Sequence, residues 1–263
     1  MHLVIDVGNT NIVCGVFNAA PQDYRLKCTF RIGTNLDITT DELGVAMRNM
    51  LYFNNIDAHG ITHAIFASVV PPINHNITKM MVLYFKKNII ELNRDKLPAV
   101  DIRYNTPEDV GMDRIINVRA AAKLYGVPAV IADYGTATTI DIIDAENTYI
   151  GGLIIPGVAV SLRALIEKTS KLHKVELTMP SGIIGTSTKE SIQNGVYFLN
   201  RLGVEQIIRD IKTEYFPENT VHVIATGGLS KFIASESKVI TNIETNLSII
   251  GLKICLDDLL ERG

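Results

Sequence analysis

The sequence predicts an α/β protein assembled from two half-chains of similar plan. Short runs rich in β-branched residues, such as 3–5 and 129–131, alternate with amphipathic helical stretches, a pattern typical of helices covering a mixed sheet. VIDVGNTNI at 4–12 also resembles VIADYGTATTI at 130–140. Both copies are an apolar strand, an acid, a glycine two positions later, and then small hydroxyl or amide residues. Such self-similarity indicates an internal duplication.

A second pair of segments supports the duplication and locates its boundary. HAIFASVVPP from His63 and VHVIATGGLS from Val221 are both apolar strands that end in Ala-Ser or Ala-Thr and a turn. The strand pattern restarts between residues 115 and 128. We therefore predict domains at 1–120 and 121–263, packed around a shared cleft.

Four helices follow from local signals. Thr39 and Glu42 have the spacing of a capping box, ahead of an apolar face that includes Leu43, Met47 and Leu51. A second helix begins near Asp113 and ends at Gly126. The remaining two are predicted at 161–172 and from Thr188 to just before Pro217.

Composition narrows the class of protein. A chain of 263 residues, 47% of them hydrophobic, can bury a substantial core, and a net charge of −3 argues against nucleic acid or an anionic membrane as partner. The chain has three cysteines, with no CxxC spacing, and six histidines, with no spacing typical of paired metal ligands. We expect no disulfide framework, no zinc site, no signal peptide, no membrane span and a cytoplasmic location.

The two glycine turns have the features of phosphate-binding loops. Gly8 and Gly135 lack the side chain that keeps the backbone away from an anion, and Asp6 and Asp133 stand at the preceding strand ends, where a carboxylate beside phosphate calls for a cation such as Mg²⁺. Donors follow in both turns: Asn9, Thr10, Asn11, Thr136, Thr138 and Thr139. One such turn alone is equally consistent with an ordinary hairpin, but its duplication favours an ATP site. The chain has neither a GxxxxGK[ST] loop nor GxGxxG.

Five motifs in order make the match to a family specific. They are DVGNTN (6–11), GMDRIIN (111–117), DYGTATT (133–139), GGLIIPG (151–157) and ATGGL (225–229). Over nearly its whole length the chain resembles the type III pantothenate kinases, of the superfamily of acetate and sugar kinases, heat-shock ATPases and actin. The resemblance implies two RNase-H-like domains flanking a nucleotide cleft. It also implies ATP-dependent phosphorylation of pantothenate to 4′-phosphopantothenate, the first step of coenzyme A synthesis, with Mg²⁺ and K⁺ or ammonium.

The resemblance also implies roles for individual residues. Asp113 would accept the substrate hydroxyl proton, Asp133 would help hold the monovalent cation, and Asp6 would face Mg²⁺, directly or through water. The implied ATP contacts are Asp6, Val7, Gly8, Asn9, Thr10, Asn11, Ile12, Val13 and Thr136. The implied pantothenate contacts are Tyr104, Gly111, Met112, Asp113, Arg114 and Thr188. The family is dimeric, with a substrate pocket partly built by the neighbouring subunit.

Simpler interpretations stand beside these roles. Asp113 also has the position of a helix N-cap, and Thr188 lies beside Ser187 and Glu190, which have capping-box spacing. Arg114 would serve either to neutralise developing charge or to grip the substrate carboxylate. The chain departs from the usual family pattern at 172–173, Leu-His, and at 185–187, Gly-Thr-Ser, which leaves the detailed pocket shape open.

Two other functions remain open from the sequence. Members of the family have been described as accessory transcription factors without catalysis, although the presence of Asp113 weighs against that role here. Another kinase of the superfamily, acting on a sugar or acetate, is the third hypothesis. The small size and the GMDR motif favour pantothenate over these substrates.

Overall fold

The computed structural model describes residues 1–97, 100–167, 175–218 and 220–262. The chain divides into two compact units, each assembled from separate segments. The first unit consists of Met1–Val100, Glu108–Ala120 and Ser248–Gly263. The second unit consists of Asp101–Pro107 and Ala121–Leu247.

Strands and helices alternate along the chain, as the sequence predicts. The strands are β1 (His2–Val7), β2 (Asn11–Phe17), β3 (Leu26–Gly33), β4 (His63–Ser68), β5 (Ile90–Glu91), β6 (Asp101–Ile102), β7 (Ala129–Tyr134), β8 (Ala137–Ile143), β9 (Thr148–Pro156), β10 (His222–Thr226) and β11 (Asn242–Ile243). The α-helices are α1 (Thr40–Phe53), α2 (Asn74–Met80), α3 (Met112–Tyr125), α4 (Val158–Glu167), α5 (Thr188–Tyr215), α6 (Ser230–Ala234) and α7 (Leu247–Arg262). Within the described ranges, no helix combines the length and apolarity that a membrane crossing requires.

The first unit is built on a five-stranded sheet in the order β3-β2-β1-β4-β5. Strands β1, β2 and β3 are antiparallel neighbours, while β4 runs parallel to β1 and β5 parallel to β4. Alternate residues of β1 point to one face, so Leu3, Ile5 and Val7 join a single core cluster with Leu43 and Met47 of α1. Each fully buried aliphatic side chain of this kind contributes about 1.5–3 kcal/mol.

The second unit repeats this plan, which confirms the two-domain fold class predicted from the duplicated motifs. Its sheet has the order β11-β10-β7-β8-β9-β6, so β7 to β11 stand in the same relation as β1 to β5, with β6 added at the edge. Strands β1 and β7 have the same burial sequence, and their half-buried fifth positions are Asp6 and Asp133. The match of HAIFAS to VHVIAT is explained too, since β4 and β10 both pair in parallel with the central strand.

Helix predictions are confirmed at three places. Thr39 and Glu42 form both hydrogen bonds of a capping box ahead of α1. Helix α3 ends at Tyr125, and Gly126 has a φ of +94°. Helix α5 ends two residues before Pro217. The helix predicted at 161–172 is observed as α4, three residues earlier at its start; its predicted end, with Leu172 and His173, lies outside the described residues.

Helix α7 groups with the first unit, whereas the sequence division placed it in the C-terminal domain. The packing explains this, because Ile249 occupies the space above Gly15 of β2 and Gly251 lies against Ile116 of α3. Lys253 of α7 is fully buried, and its Nζ donates to Asp257 Oδ2 at 2.6 Å. The sequence division also placed Asp101–Pro107 in the N-terminal domain. This segment belongs to the second unit, because β6 pairs with β9.

Candidate active site

The first glycine turn joins β1 to β2 and is held from the end of β3. Gly8 N–H donates to the Asn11 carbonyl at 3.0 Å and closes the turn. Thr34, the residue after β3, donates its hydroxyl to the Gly8 carbonyl at 2.6 Å and its N–H to the Thr10 carbonyl at 3.0 Å. Thr34 therefore fixes the turn, a role that its distance in sequence concealed.

Burial distinguishes five of the residues predicted to contact ATP in this turn. The side chains of Val7 and Ile12 are buried in the core, so their backbone groups alone can face a nucleotide. Asn9, Thr10 and Asn11 are exposed and can present amide and hydroxyl groups to phosphate oxygens. The turn thus combines buried apolar side chains at its two ends with exposed polar side chains between them.

Asp6 lies at the end of β1 in a partly desolvated position. Burial raises the pKa of its carboxyl from 3.8 to about 6, a hydrogen bond from the Ser248 side chain opposes this rise, and the negative charge of Asp113 adds to it. Ser248 belongs to the first turn of α7. The effect of Asp113 on Asp6 places the predicted proton acceptor within electrostatic range of the first turn.

Asp113 is the second residue of α3, which begins at Met112. The N-cap interpretation of Asp113 is therefore wrong by two positions, because Gly111 precedes the helix. The Asp113 carboxylate accepts a hydrogen bond from Arg114 N–H at 2.9 Å, and the first turn of a helix favours a negative charge. Arg114 is 7% exposed, so most of its side chain is removed from solvent.

The second glycine turn, Gly135-Thr136, is held by close backbone packing. Gly135 N–H donates to the Ala137 carbonyl at 3.1 Å. A Cβ at Gly157, the residue after β9, would clash with the Thr136 carbonyl and lie 2.7 Å from the Gly135 carbonyl. Gly227 has a φ of +90°, and a Cβ there would clash with the Asp133 carboxylate. Two glycines of the GGLIIPG and ATGGL motifs therefore allow the chain to close around this turn.

The predicted substrate contacts in the second unit lie at its surface. Tyr104, just after β6, is 41% exposed, and its ring centroid is 6.3 Å from that of Tyr149. Thr188 is the exposed first residue of α5. Ser187 caps this helix by accepting from Glu190 N–H at 3.2 Å. Capping therefore does not require the Thr188 hydroxyl.

The acid that precedes the first turn, Asp6, fits a cation of the Mg²⁺ type. Nowhere in the described parts of the chain do three His, Cys, Asp or Glu side chains gather into a metal site. Mg²⁺ in phosphoryl-transfer sites is commonly held by one or two carboxylates together with substrate phosphates. Asp6 offers one carboxylate. Burial, together with the negative charge of Asp113, raises its pKa, and a bound cation would relieve this cost of ionisation.

Structural comparison supports the fold assignment. A Campylobacter jejuni protein named as a member of the Baf transcriptional activator family superposes with a TM-score of 0.61 at 20% identity, covering 98% of this chain and 99% of that one. The activator of 2-hydroxyisocaproyl-CoA dehydratase from Clostridium difficile, with bound ADPNP, superposes with a TM-score of 0.57 at 8% identity, covering 99% and 96%. At these identities the likeness concerns the fold alone.

Sequence comparison identifies the family. The model of the type III pantothenate kinase family matches residues 2–210. Type III pantothenate kinases from Koribacter versatilis and Finegoldia magna are 38% and 41% identical to this chain, each over 97% of it and over 94% and 96% of their own lengths. Both matches extend across the two units that carry the glycine turns. The chain therefore belongs to the type III pantothenate kinase family.

Proposed function

We propose that the protein transfers the γ-phosphoryl group of ATP to the primary hydroxyl of pantothenate, giving 4′-phosphopantothenate and ADP. The observation that supports this proposal is the effect of the Asp113 charge on the pKa of Asp6, which precedes the first glycine turn. A proton acceptor beside a phosphate cradle is the arrangement that alcohol phosphorylation needs. Membership of the type III pantothenate kinase family supplies the substrate.

Asp113 acts as the proton acceptor in this mechanism. Its carboxylate takes the hydroxyl proton as the alcohol oxygen forms a bond to the γ-phosphorus, and the bond from that phosphorus to the bridging oxygen breaks. Phosphoryl transfer depends chiefly on positioning and charge stabilisation, so a general base of this kind supplies about 10²–10⁴-fold in rate. The N–H groups and polar side chains of the two turns, at Asn9 to Asn11 and at Thr136, hold the phosphate oxygens.

Two cations complete the proposed site. Asp6 would hold Mg²⁺, directly or through water, and Asp133 would help to hold a monovalent cation, K⁺ or ammonium. The positive charge supplied there would offset the negative charge of the phosphates. Asp133 suits its role since Gly227 packs against its carboxylate and limits the directions in which that group can turn.

Pantothenate is recognised by residues at two places in the chain. Gly111, Met112 and Arg114 lie at the start of α3, while Tyr104 follows β6 and Thr188 is the first residue of α5. Arg114 either neutralises charge that develops on the phosphoryl group or pairs with the substrate carboxylate. Both roles suit a guanidinium that is held in a mostly buried position.

We further propose that the protein is a homodimer whose contact surface is on the second unit. Four large apolar side chains of this unit are strongly exposed: Ile154 at 66%, Ile183 at 66%, Ile184 at 82% and Leu199 at 70%. Exposed apolar side chains in this number favour a protein partner. Light scattering should give twice the mass of 28.9 kDa, and Leu199→Asp should shift it toward the monomer.

The activity test is product formation from ATP, Mg²⁺ and pantothenate in K⁺, ammonium or Na⁺. Mass spectrometry should detect 4′-phosphopantothenate in the first two salts. A parallel panel of hexoses and acetate distinguishes the other kinase hypothesis, and faster turnover of any of these would overturn the choice of pantothenate. Absence of product under every salt would reject the kinase proposal and return attention to the transcriptional role.

A further inference from the structure

A line of side chains on one face of the second sheet connects Tyr104 to the strand pair that carries Asp133. The ring of Tyr104 is 6.3 Å from that of Tyr149, and the Tyr149 hydroxyl donates to Asp141 Oδ1 at 3.0 Å. Thr139 donates its hydroxyl to Asp141 Oδ2 at 3.1 Å and pairs across the ladder with Asp133. Directly paired residues share a face, as do residues two apart in one strand.

The centre of this line, which we call the Tyr149-Asp141 pair, is removed from water. Both residues are 0% exposed, so the pair is part of the interior. A buried carboxylate must be compensated by hydrogen bonds, and apolar side chains of similar volume often replace buried polar groups at no loss of stability. A purely structural role is therefore a weak explanation for an acid at this position.

Tyr149 also holds the backbone that leads to Tyr104. Ile102 of β6 is paired with Tyr149, and Arg103 N–H donates to the Tyr149 carbonyl at 2.8 Å. Strand β6 is two residues long and lies at the edge of its sheet, so few other ladder bonds hold it. Both the ring and the main chain next to Tyr104 thus depend on one buried residue.

We propose that Tyr149 and Asp141 are positioning residues that fix Tyr104 for pantothenate binding. The inference rests on the proposed function, because it takes Tyr104 as a substrate contact. The hydroxyl of Tyr149, anchored on Asp141, sets the plane of the Tyr149 ring, and that ring supports the exposed ring of Tyr104. Asp141 in turn is tied through Thr139 to the ladder beside Asp133, so the substrate wall and the cation residue share one rigid frame.

The test is Tyr149→Phe, which keeps the ring beneath Tyr104 and removes the hydroxyl bound to Asp141. We expect the KM for pantothenate to rise about tenfold, equivalent to about 1.4 kcal/mol, with kcat and the KM for ATP within twofold of the wild type. Tyr84→Phe is the matched control, because it also removes a tyrosine hydroxyl from an aspartate, Asp41 at 2.7 Å, in the first unit. Its pantothenate KM should equal that of the wild type.

A double-mutant cycle separates positioning from general destabilisation. If Tyr149 acts through Tyr104, adding Tyr149→Phe to Tyr104→Ala should leave the pantothenate KM of Tyr104→Ala unchanged. The inference is overturned if the two effects multiply, or if Tyr149→Phe lowers Tm and leaves the pantothenate KM unaltered. Should the wild type itself make no phosphopantothenate, the proposed function fails and the inference fails with it. An active wild type with an unaltered Tyr149→Phe variant rejects the inference alone.

Discussion

The two glycine turns of this protein occupy equivalent places in duplicated units, yet they are stabilised differently. Thr34 and Gly157 both follow the third strand of their sheets, after Gly33 and Pro156, which pair with Asn11 and Ala137. In the first unit, Thr34 donates two hydrogen bonds to its turn. In the second unit, Gly157 contacts the turn with its backbone, where no side chain fits.

The acids before the turns differ as well. Asp6 accepts a hydrogen bond from Ser248, and the negative charge of Asp113 acts on its carboxyl, whereas Gly227 packs against the Asp133 carboxylate. The difference teaches that the duplicated strands kept their arrangement while the surroundings of the two acids diverged. In the proposed mechanism, Asp113 and Asp6 carry the acid chemistry, while the second turn and Asp133 bind phosphate and a monovalent cation.

The largest effect should come from Asp113→Asn in the first unit. Loss of the proton acceptor should lower kcat by about 10²–10⁴-fold, with little change in the KM for ATP because the glycine turns remain intact. Steady-state kinetics together with a thermal melt measures this. A variant with more than a tenth of the wild-type kcat would contradict the assignment of the base to the first unit.

The stabilisation of the two turns can be compared with Gly157→Ala and Thr34→Ala. Gly157→Ala places a methyl group against backbone carbonyls, so it should lower the free energy of unfolding by about 1–3 kcal/mol and raise the KM for ATP. Thr34→Ala removes one side-chain hydrogen bond, worth about 0.5–1.5 kcal/mol. Urea unfolding measures both.

Gly33→Ala serves as the control for this pair, since a Cβ at Gly33 has no atom within 4 Å. Its stability should stay near that of the wild type. A loss at Gly157 no larger than that at Gly33 would show that the second turn tolerates displacement and would remove the contrast between the turns.

A smaller effect concerns the stability cost of Asp6 in the metal-free protein. The raised pKa of about 6 means that an ionised Asp6 destabilises the fold, by an amount fully present above pH 6. This cost declines as the pH falls from 6 to 3.8, because the folded state then binds the proton more readily than the unfolded state. At pH 7.5 in EDTA, Asp6→Asn should be more stable than the wild type by about 1–2 kcal/mol.

The pH series of unfolding curves tests the sign of this effect. The stability advantage of Asp6→Asn should shrink toward zero near pH 4. An advantage that grows as the pH falls would contradict the desolvation of Asp6, and with it the difference in environment between the two acids.

Much of the fold could be predicted because its signals are local. The capping box at Thr39 and the β1 and β7 strand patterns lie within a few residues, and the repeat of DVGNTN in DYGTATT revealed the duplication. The domain division was less accessible, since α7 returns to the first unit through contacts such as Gly251 with Ile116, which no local pattern encodes.

The candidate site shows the same limit. Gly8 and Gly135 marked the turns, but Thr34 is 26 positions from Gly8, and Ser248 is far from Asp6 in the chain. Neither position carries a motif of its own. The role of Asp113 in its helix also depends on a shift of one or two residues, because the N-cap and first-turn interpretations differ only in where α3 begins.

The division of roles between the turns is tested most directly by the cation dependence of phosphopantothenate formation in the wild type and in Asp133→Asn. The account predicts a wild type that is activated by K⁺ or ammonium and far less by Na⁺, and an Asp133→Asn variant in which this discrimination is lost while the fold is retained. A wild type indifferent to the monovalent cation, or an Asp133→Asn variant with unaltered discrimination, would contradict it.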